Sequence, residues 1–118
     1  MLNREGILAQ KDVKFEDVVV PEWDDEIIRI KCMTGSERDE YEALLYDFSE
    51  SGVKMKRENY RAKLLVFTIV GEDLNRIFSV KDIEEVSKKS AKAIDRLFTI
   101  SQKLNGLSKE EIDKIEKN

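Results

Sequence analysis

A strongly amphipathic stretch near the end of the sequence, residues 90–107, constrains the fold more than any other segment. It reads SAKAIDRLFTISQKLNGL, with apolar residues at helical spacing and charged residues mostly on the opposite side. Gly106 can adopt the left-handed conformation that ends a helix, and Leu107 can then fold back onto the last turn. A helix with so wide an apolar face is unstable alone in water. Other segments must cover it, so it is predicted to lie in the core.

Two β-rich segments precede the long helices. Residues 13–20, VKFEDVVV, and residues 27–33, IIRIKCM, flank the turn sequence PEWDDE, which predicts an antiparallel hairpin over about residues 13–33. In the first segment the apolar residues before and after Asp17 lie on one face only if the strand pattern shifts by one residue at Asp17, so a bulge or a twist is expected there. A lone hairpin is marginally stable, and its apolar face should therefore lie on the helices.

The rest of the chain is predicted to be mainly helical. A short helix is predicted after Asn3, with Leu2, Ile7 and Leu8 as apolar contacts, and a helix over 35–50 is opened by a Thr34–Glu37 capping box. A further helix is predicted over 57–70, and its β-branched end leaves a strand open as an alternative. Ser79 caps the next helix, with Ile83 and Val86 inward, and the segment 108–118 is expected to fray. The fold class is thus α+β, an N-terminal antiparallel β-hairpin packed on a mainly α-helical bundle of four to five helices. One domain is expected over residues 1–118, with the hairpin at about 13–33 and the helical part at about 35–118.

The sequence lacks the side chains on which most enzyme sites depend. It contains no histidine, its five glycines are dispersed, and Cys32 is its only cysteine. Without a histidine, Cys32 is interpreted as a small buried apolar residue rather than a nucleophile. The acidic turn around Asp24 lacks the spacing and the central glycine of a calcium loop. The sequence therefore predicts no enzymatic activity, no cofactor and no metal site.

Charge and hydropathy indicate the setting. Charged residues make up 39% of the chain but leave a formal net charge of only -4, without the positive field that gathers nucleic acid. The basic stretch Lys54–Lys63 leaves a nucleic-acid patch open, although helical spacing favours cations that flank an apolar stripe. The first ten residues are too charged for a signal peptide, and no apolar run is long enough to span a membrane. A reduced, cytoplasmic setting is expected.

Two features bear on partners. Trp23 lies in the hairpin turn, where it either folds back onto the hairpin, the interpretation we favour, or marks a contact surface. Phe98 and Ile100 lie too far apart around the central helix for one narrow seam to bury both. That helix is therefore either sealed by its own chain or partly covered by another.

Several short motifs follow one another along nearly the whole chain. They are the leading MLNREGILA, Val20-Pro21-Glu22-Trp23 at the end of the first strand, Met33–Asp39 after the second, Arg76–Ser79, the acidic helix from Lys81, Arg96–Phe98 and Leu104–Ser108. In these motifs and their order the chain resembles the small tail assembly chaperones of long-tailed bacteriophages and prophages.

The resemblance implies a non-enzymatic protein that binds the tape measure protein, keeps its apolar helices from aggregating and helps assemble the tail tube protein around it. It also implies action in the bacterial host cytoplasm and absence from the mature virion. Homo-oligomerisation stays open. The main alternative is a small tail completion or connector protein that remains in the virion, and a further one is a nucleic-acid-binding regulator.

Binding of this kind needs an apolar groove with a charged rim, which suits a helix of the partner. We place the groove between the 57–70 segment and the central helix. Its candidate floor residues are Leu65, Phe67, Phe98 and Ile100, its candidate rim residues are Arg57 and Arg61, and Trp23 is a further candidate contact. Leu65 and Phe67 share a face only if their segment is extended.

Overall fold

The computed structural model describes residues 1–49 and 51–107. There the elements follow in the order α1 (Arg4–Leu8), β1 (Phe15–Val20), β2 (Glu26–Lys31), α2 (Gly35–Leu45), β3 (Tyr46–Ser49), β4 (Gly52–Met55), α3 (Tyr60–Thr68), β5 (Ile69–Val70), α4 (Ile83–Ser87) and α5 (Ala91–Leu104). Short 3₁₀ turns cover Pro21–Trp23 and Val80–Asp82. Strands and helices share one core, so the α+β class is confirmed. The segment predicted over 108–118 lies outside the described residues.

β1 and β2 form the predicted hairpin. They pair antiparallel along their whole length without interruption. The bulge expected at Asp17 is therefore wrong, because the alternation does not slip. Phe15 lies on the outer face of the sheet, where the Arg29 guanidinium stands 4.1 Å from its ring centroid, whereas Val18 and Val20 are buried on the core face.

A third strand, β5, joins the sheet on the far side of β2, giving the order β1-β2-β5. It consists of Ile69 and Val70, at the end of the helix predicted over 57–70. The observed helix α3 begins at Tyr60 and ends at Thr68. The strand alternative for the β-branched end is thus confirmed for its last two residues, while the preceding ones stay helical.

The helix predicted over 35–50 ends at Leu45, and the chain continues into a second hairpin, β3–β4. The start of the helix is as predicted, since Thr34 Oγ1 accepts the N–H of Glu37 at 3.3 Å and Glu37 Oε1 accepts the N–H of Thr34 at 3.0 Å. The hairpin has a sequence signal, because apolar and polar residues alternate in both strands. The helix was extended too far because the same apolar residues also fit a helical stripe.

α5 lies in the core, as predicted. Its buried residues are Ala93, Ile94, Leu97, Phe98 and Ser101. Gly106 has a φ of 64°, and the N–H of Leu107 donates to the carbonyl of Gln102 at 3.0 Å. Together with the Gly106 N–H, which donates to Lys103 at 3.2 Å, this forms the predicted left-handed helix end, with Leu107 folded back and buried.

One polar contact marks the crossing of α3 and α5. The Ser101 hydroxyl donates to the Thr68 hydroxyl at 2.9 Å, and Thr68 donates to the carbonyl of Leu64 at 3.1 Å. Both hydroxyls are fully buried, and this chain of hydrogen bonds satisfies them inside the core. The crossing is therefore sealed without an unsatisfied hydroxyl.

The two short helices differ in their packing. In α4, Ile83 and Val86 are buried as predicted. α1 is capped as predicted by Asn3, but its expected apolar contacts are not formed: Leu2, Ile7 and Leu8 are 56%, 58% and 67% exposed. This short helix lies outside the core, because it is linked to the sheet only through the residues before β1.

The positive φ of Gly106 at the end of α5 can be tested by an alanine substitution, with Gly35 at the start of α2 as the control. Gly106→Ala should lower the free energy of unfolding by about 1 kcal/mol, because alanine is strained at positive φ. A Cβ at Gly106 would meet no atom within 4 Å, so the loss reports the backbone alone. Gly35→Ala, which also meets none, should be neutral or slightly stabilising. Urea denaturation of both variants measures the contrast, and equal stabilities would contradict it.

A partly buried ion pair joins β2 to α2. Lys31 is only 5% exposed, and its Nζ donates to Glu37 Oε1. Burial alone would raise the pKa of Glu37, but the hydrogen bonds from Lys31 and Thr34 outweigh it and hold that pKa below its ordinary value. Glu37 therefore both caps α2 and neutralises a buried cation.

The lowered pKa of Glu37 predicts a pH dependence. Its ionised form contributes stability that is full above the unfolded pKa of about 4.3 and is lost as the pH falls through the lower folded value. The stability difference between the wild type and Glu37→Gln should therefore shrink below about pH 4.3. Urea denaturation across acidic pH measures it. A difference that stays constant would contradict the assignment, and Glu42→Gln on an exposed turn of α2 is the control.

Candidate partner-binding surface

An open apolar depression of about 490 Å³ lies where the turn of the first hairpin meets α4 and α5. Its apolar lining includes Trp23, Ile28, Ile77, Phe78, Val86 and Ile94, and we call it the Trp23 groove. The exposed charged residues Glu85 and Lys89 also line it. Apolar concavities with a few charges at the margin are the usual form of binding sites for partner side chains.

The turn that carries Trp23 is held against α5. Glu22 accepts two hydrogen bonds from the Arg96 guanidinium, at 3.1 and 3.0 Å. These bonds hold the pKa of the Glu22 carboxyl below its ordinary value. Asp24 and Asp25 both have positive φ and reverse the chain into β2. Trp23 packs against the core cluster and stays half-buried at the groove, whereas the sequence favoured packing on the hairpin itself.

The opposite wall is built by the segment after β5. Arg76 pairs with Val70 as a β-bridge, and its Nε donates to the carbonyl of Val66 at 3.0 Å. These contacts anchor the short segment 76–78. Ile77 projects outward and is 58% exposed, while Phe78 is half-buried against the core. Ile77 is therefore the most accessible apolar side chain of the lining named above.

The groove placed between α3 and α5 is closed in this structure. Leu65 and Phe67 are fully buried, Phe98 is 5% exposed, and the Tyr60 and Phe98 rings meet edge to face at 5.6 Å. Ile100 is half-buried against the core. A partner could reach that floor only if α3 and α5 separated. Binding at these residues stays a prediction.

The two rim arginines lie together beside the Trp23 groove. Arg57 and Arg61 line a smaller depression that shares Ile94 and Lys89 with the groove. Arg61 forms an ion pair with Asp95 at 2.8 Å, and its guanidinium lies 4.7 Å from the Tyr60 ring centroid. Trp23 is in the groove rather than in this depression. The structure thus places Arg57 and Arg61 in a depression that adjoins the groove containing Trp23.

The basic stretch Lys54–Lys63 is divided between different environments. Lys54 belongs to β4, whereas Lys63 is buried in α3 with its Nζ donating to the carbonyl of Lys56 at 3.4 Å. Burial lowers the pKa of Lys63. With Arg61 paired to Asp95 as well, the stretch does not present its cations as one continuous face.

The described residues contain no group of three or more His, Cys, Asp or Glu side chains that could hold a metal ion. The acidic turn around Asp24 makes no such cluster, and its Glu22 is bonded to Arg96. Among the helices within residues 1–49 and 51–107, none is long and apolar enough to cross a membrane.

The sequence reading missed most of the Trp23 groove. Its lining comes from the hairpin, the segment after β5, α4 and α5, which only the folded chain brings together. Two signals were present: a tryptophan in a turn, and Ile77 beside Phe78 in a segment too short to bury both. Neither signal indicates which segments lie opposite each other.

Comparisons with known proteins identify a family and a similar solved structure. Residues 3–117 match the model of a family described as "Phage tail assembly chaperone". The chain also superposes on a solved structure, the tail assembly chaperone of bacteriophage HK97, with a TM-score of 0.60 over 88% of this chain and 94% of that one. Sequence identity is 16%, so this likeness shows the fold. No curated relative matches the sequence significantly.

The Glu22–Arg96 contact is expected to hold Trp23 in position, and Trp23 is the only tryptophan of the chain. Glu22→Gln should loosen the turn, because it removes the charge from a bidentate pair. The expected result is a red shift of tryptophan fluorescence and faster quenching by acrylamide. Glu42→Gln, which disturbs the Arg38–Glu42 pair on α2, should leave both unchanged. An unaltered spectrum in Glu22→Gln would show that the contact does not position Trp23.

Proposed function

The chain belongs to the phage tail assembly chaperone family, and from that premise we propose that it binds the tape measure protein while the phage tail is assembled. It then keeps apolar helices of that long protein apart until tail tube subunits surround them. The work is done in the cytoplasm of the bacterial host, by a phage or prophage product that is absent from the finished virion. In this proposal residues 1–118 act as one domain.

Membership of a chaperone family implies a role without catalysis. The absence of histidine from the sequence agrees with that role, because the commonest general base of enzymes is missing. Family membership also implies contacts with other tail proteins. Recognition of a polypeptide needs an accessible surface rather than a reacting group.

The Trp23 groove is the observation that carries the proposal. Its apolar lining suits the hydrophobic side chains that a helix presents at i, i+3 and i+4. Trp23 and Phe78 supply aromatic surface, which is enriched at the centres of interfaces. Ile77 is already exposed at this site, so a client helix would cover apolar surface that the fold itself leaves uncovered.

Charged groups near the groove would orient the client. Lys89 lines the groove, and Arg57 and Arg61 line a neighbouring depression that shares Lys89 and Ile94 with it. We propose that acidic residues flanking the apolar stripe of the client face these cations. Such contacts at the margin contribute to orientation and association rate more than to affinity.

The proposed client site is tested by Ile77→Glu. The variant should weaken binding to a helical fragment of the tape measure protein by about tenfold or more, because it places a charge in an apolar contact. Val53→Glu is the matched control, since Val53 is 61% exposed on the second hairpin. Isothermal titration calorimetry with both variants measures the difference.

Equal affinities for the two variants would remove the Trp23 groove from the proposal. Failure of the wild-type chain to bind any tape measure fragment would overturn the proposed function itself. Mass spectrometry of purified phage particles adds a second criterion, because a protein found in the virion would be a structural tail component and not a chaperone.

A further inference from the structure

A second depression, of about 540 Å³, adjoins the Trp23 groove on the side of the first sheet, and we call it the sheet depression. Ile28 and Ile77 line both concavities, so the two meet at an apolar boundary. Apolar surface continues beyond it, because Ile27 lines the sheet depression and is 62% exposed, and its cross-strand partner Val19 is also exposed. The accessible apolar surface is therefore longer than the groove alone.

The sheet depression carries a negative charge. Its charged lining consists of four carboxylates and one guanidinium: Asp17, Asp25, Glu26, Glu72 and Arg29. The Arg29 guanidinium donates two hydrogen bonds to the Asp17 carboxylate, at 2.7 and 3.0 Å. Asp25, Glu26 and Glu72 are exposed. Within this lining, Asp17 thus matches the one cation, and the other three carboxylates make the surface negative.

The depression on the side of α4 and α5 has the opposite sign. It is the smaller concavity lined by Arg57 and Arg61, here called the helix depression, and it meets the Trp23 groove at Lys89 and Ile94. Arg61 is paired with Asp95, whereas Arg57 and Lys89 are exposed. The helix depression therefore presents a positive surface to a molecule that leaves the groove on this side.

The two neighbouring depressions give the groove a direction. They join it through different residues, Ile28 and Ile77 on the sheet side and Lys89 and Ile94 on the helix side. Glu85 lies one helical turn before Lys89 and also lines the groove, so the positive charge is concentrated in the helix depression and not in the groove itself. The surface thus changes from positive through apolar to negative.

We propose that the client is a charge-segregated amphipathic helix, with acidic residues at one end, an apolar centre and basic residues at the other end. The acidic end faces the helix depression, the centre fills the Trp23 groove, and the basic end passes Ile77 onto the sheet depression. This inference rests on the client site proposed above and adds the charge pattern and the orientation of the client. The reverse orientation is disfavoured, because it would bring like charges together at both ends.

Four synthetic helical peptides without tryptophan test the charge pattern. They share one length and one apolar stripe, and differ only at their ends: glutamates at one end and lysines at the other, glutamates at both, lysines at both, or glutamines at both. The change in Trp23 fluorescence gives the Kd of each. At low salt the charge-segregated peptide should bind about tenfold more tightly than the two peptides with like-charged ends. The glutamine peptide should be intermediate, and sodium chloride should reduce the differences.

Charge reversal in the protein should switch the preferred peptide. Glu26→Lys/Glu72→Lys makes the sheet depression positive, so this variant should bind the peptide with glutamates at both ends most tightly. Arg57→Glu/Lys89→Glu makes the helix depression negative, so it should prefer the peptide with lysines at both ends. Partial unfolding would weaken the binding of every peptide and would not produce a switch.

A charge change elsewhere provides the matched control. Asp39→Lys/Glu40→Lys alters two exposed residues of α2 that line none of the three concavities. It changes the net charge by the same amount as Glu26→Lys/Glu72→Lys. This variant should keep the wild-type order of affinities, because the charges beside the groove are unaltered.

Three results would overturn the proposal: equal affinity of the wild type for all four peptides, binding of none of them, or an order of affinities that charge reversal beside the groove leaves unchanged. Each of these results leaves tape measure binding standing, since that function is measured with the natural fragment. If no tape measure fragment binds but the peptide preferences switch as expected, the proposed function fails. The groove is then a site for a charge-segregated helix of a different protein.

Discussion

The fold depends on the complete burial of one short helix. Residues 62–68 of α3 are all buried, including Lys63. A helix that is apolar nearly all round must be covered on every side. α2, α4 and α5 pack around it, and β5 continues it into the sheet. The Ser101–Thr68 hydrogen bond shows how close the covering is, because it joins the side chains of α5 and α3 directly at 2.9 Å. The Trp23 groove lies at the outer margin of this arrangement, where the hairpin turn, α4 and α5 come together.

Local signals explain which parts of the fold were predictable from the sequence. Thr34, Ser79 and Gly106 act through hydrogen bonds or backbone angles within a few residues. Thr34 and Gly106 mark the helix ends that they predicted, and Ser79 caps the 3₁₀ turn that leads into α4. The end of α2 was not predictable in this way. Tyr46 and its neighbours fit both a helical and an alternating period, and the choice between them depends on pairing with β4.

The candidate site was less predictable because it is a property of contacts between distant segments. The prediction placed Leu65 and Phe67 in a groove because both are large and apolar, but the same property buries them in α3. Arg57 and Arg61 line a surface depression, as charged residues tend to stay at the surface whatever the packing. Trp23 was informative since a tryptophan in a turn needs a tertiary contact. Ile77 beside Phe78 is a weaker signal, because the pair of residues does not show which of the two side chains stays exposed once Arg76 bridges to Val70.

The high charge content also gains a structural meaning. Among the described residues, ion pairs that connect one element to another include Asp17–Arg29, Glu22–Arg96, Lys31–Glu37 and Arg61–Asp95. Pairs that are largely exposed contribute little net stability, but they disfavour arrangements in which like charges meet. Oppositely charged residues interleaved along the sequence therefore select one register and one orientation of the hairpin on the helices. Because the hairpin and the helices are held in this orientation by ion pairs, the apolar side chains around the groove do not have to pack against one another. The groove can therefore stay open at the surface.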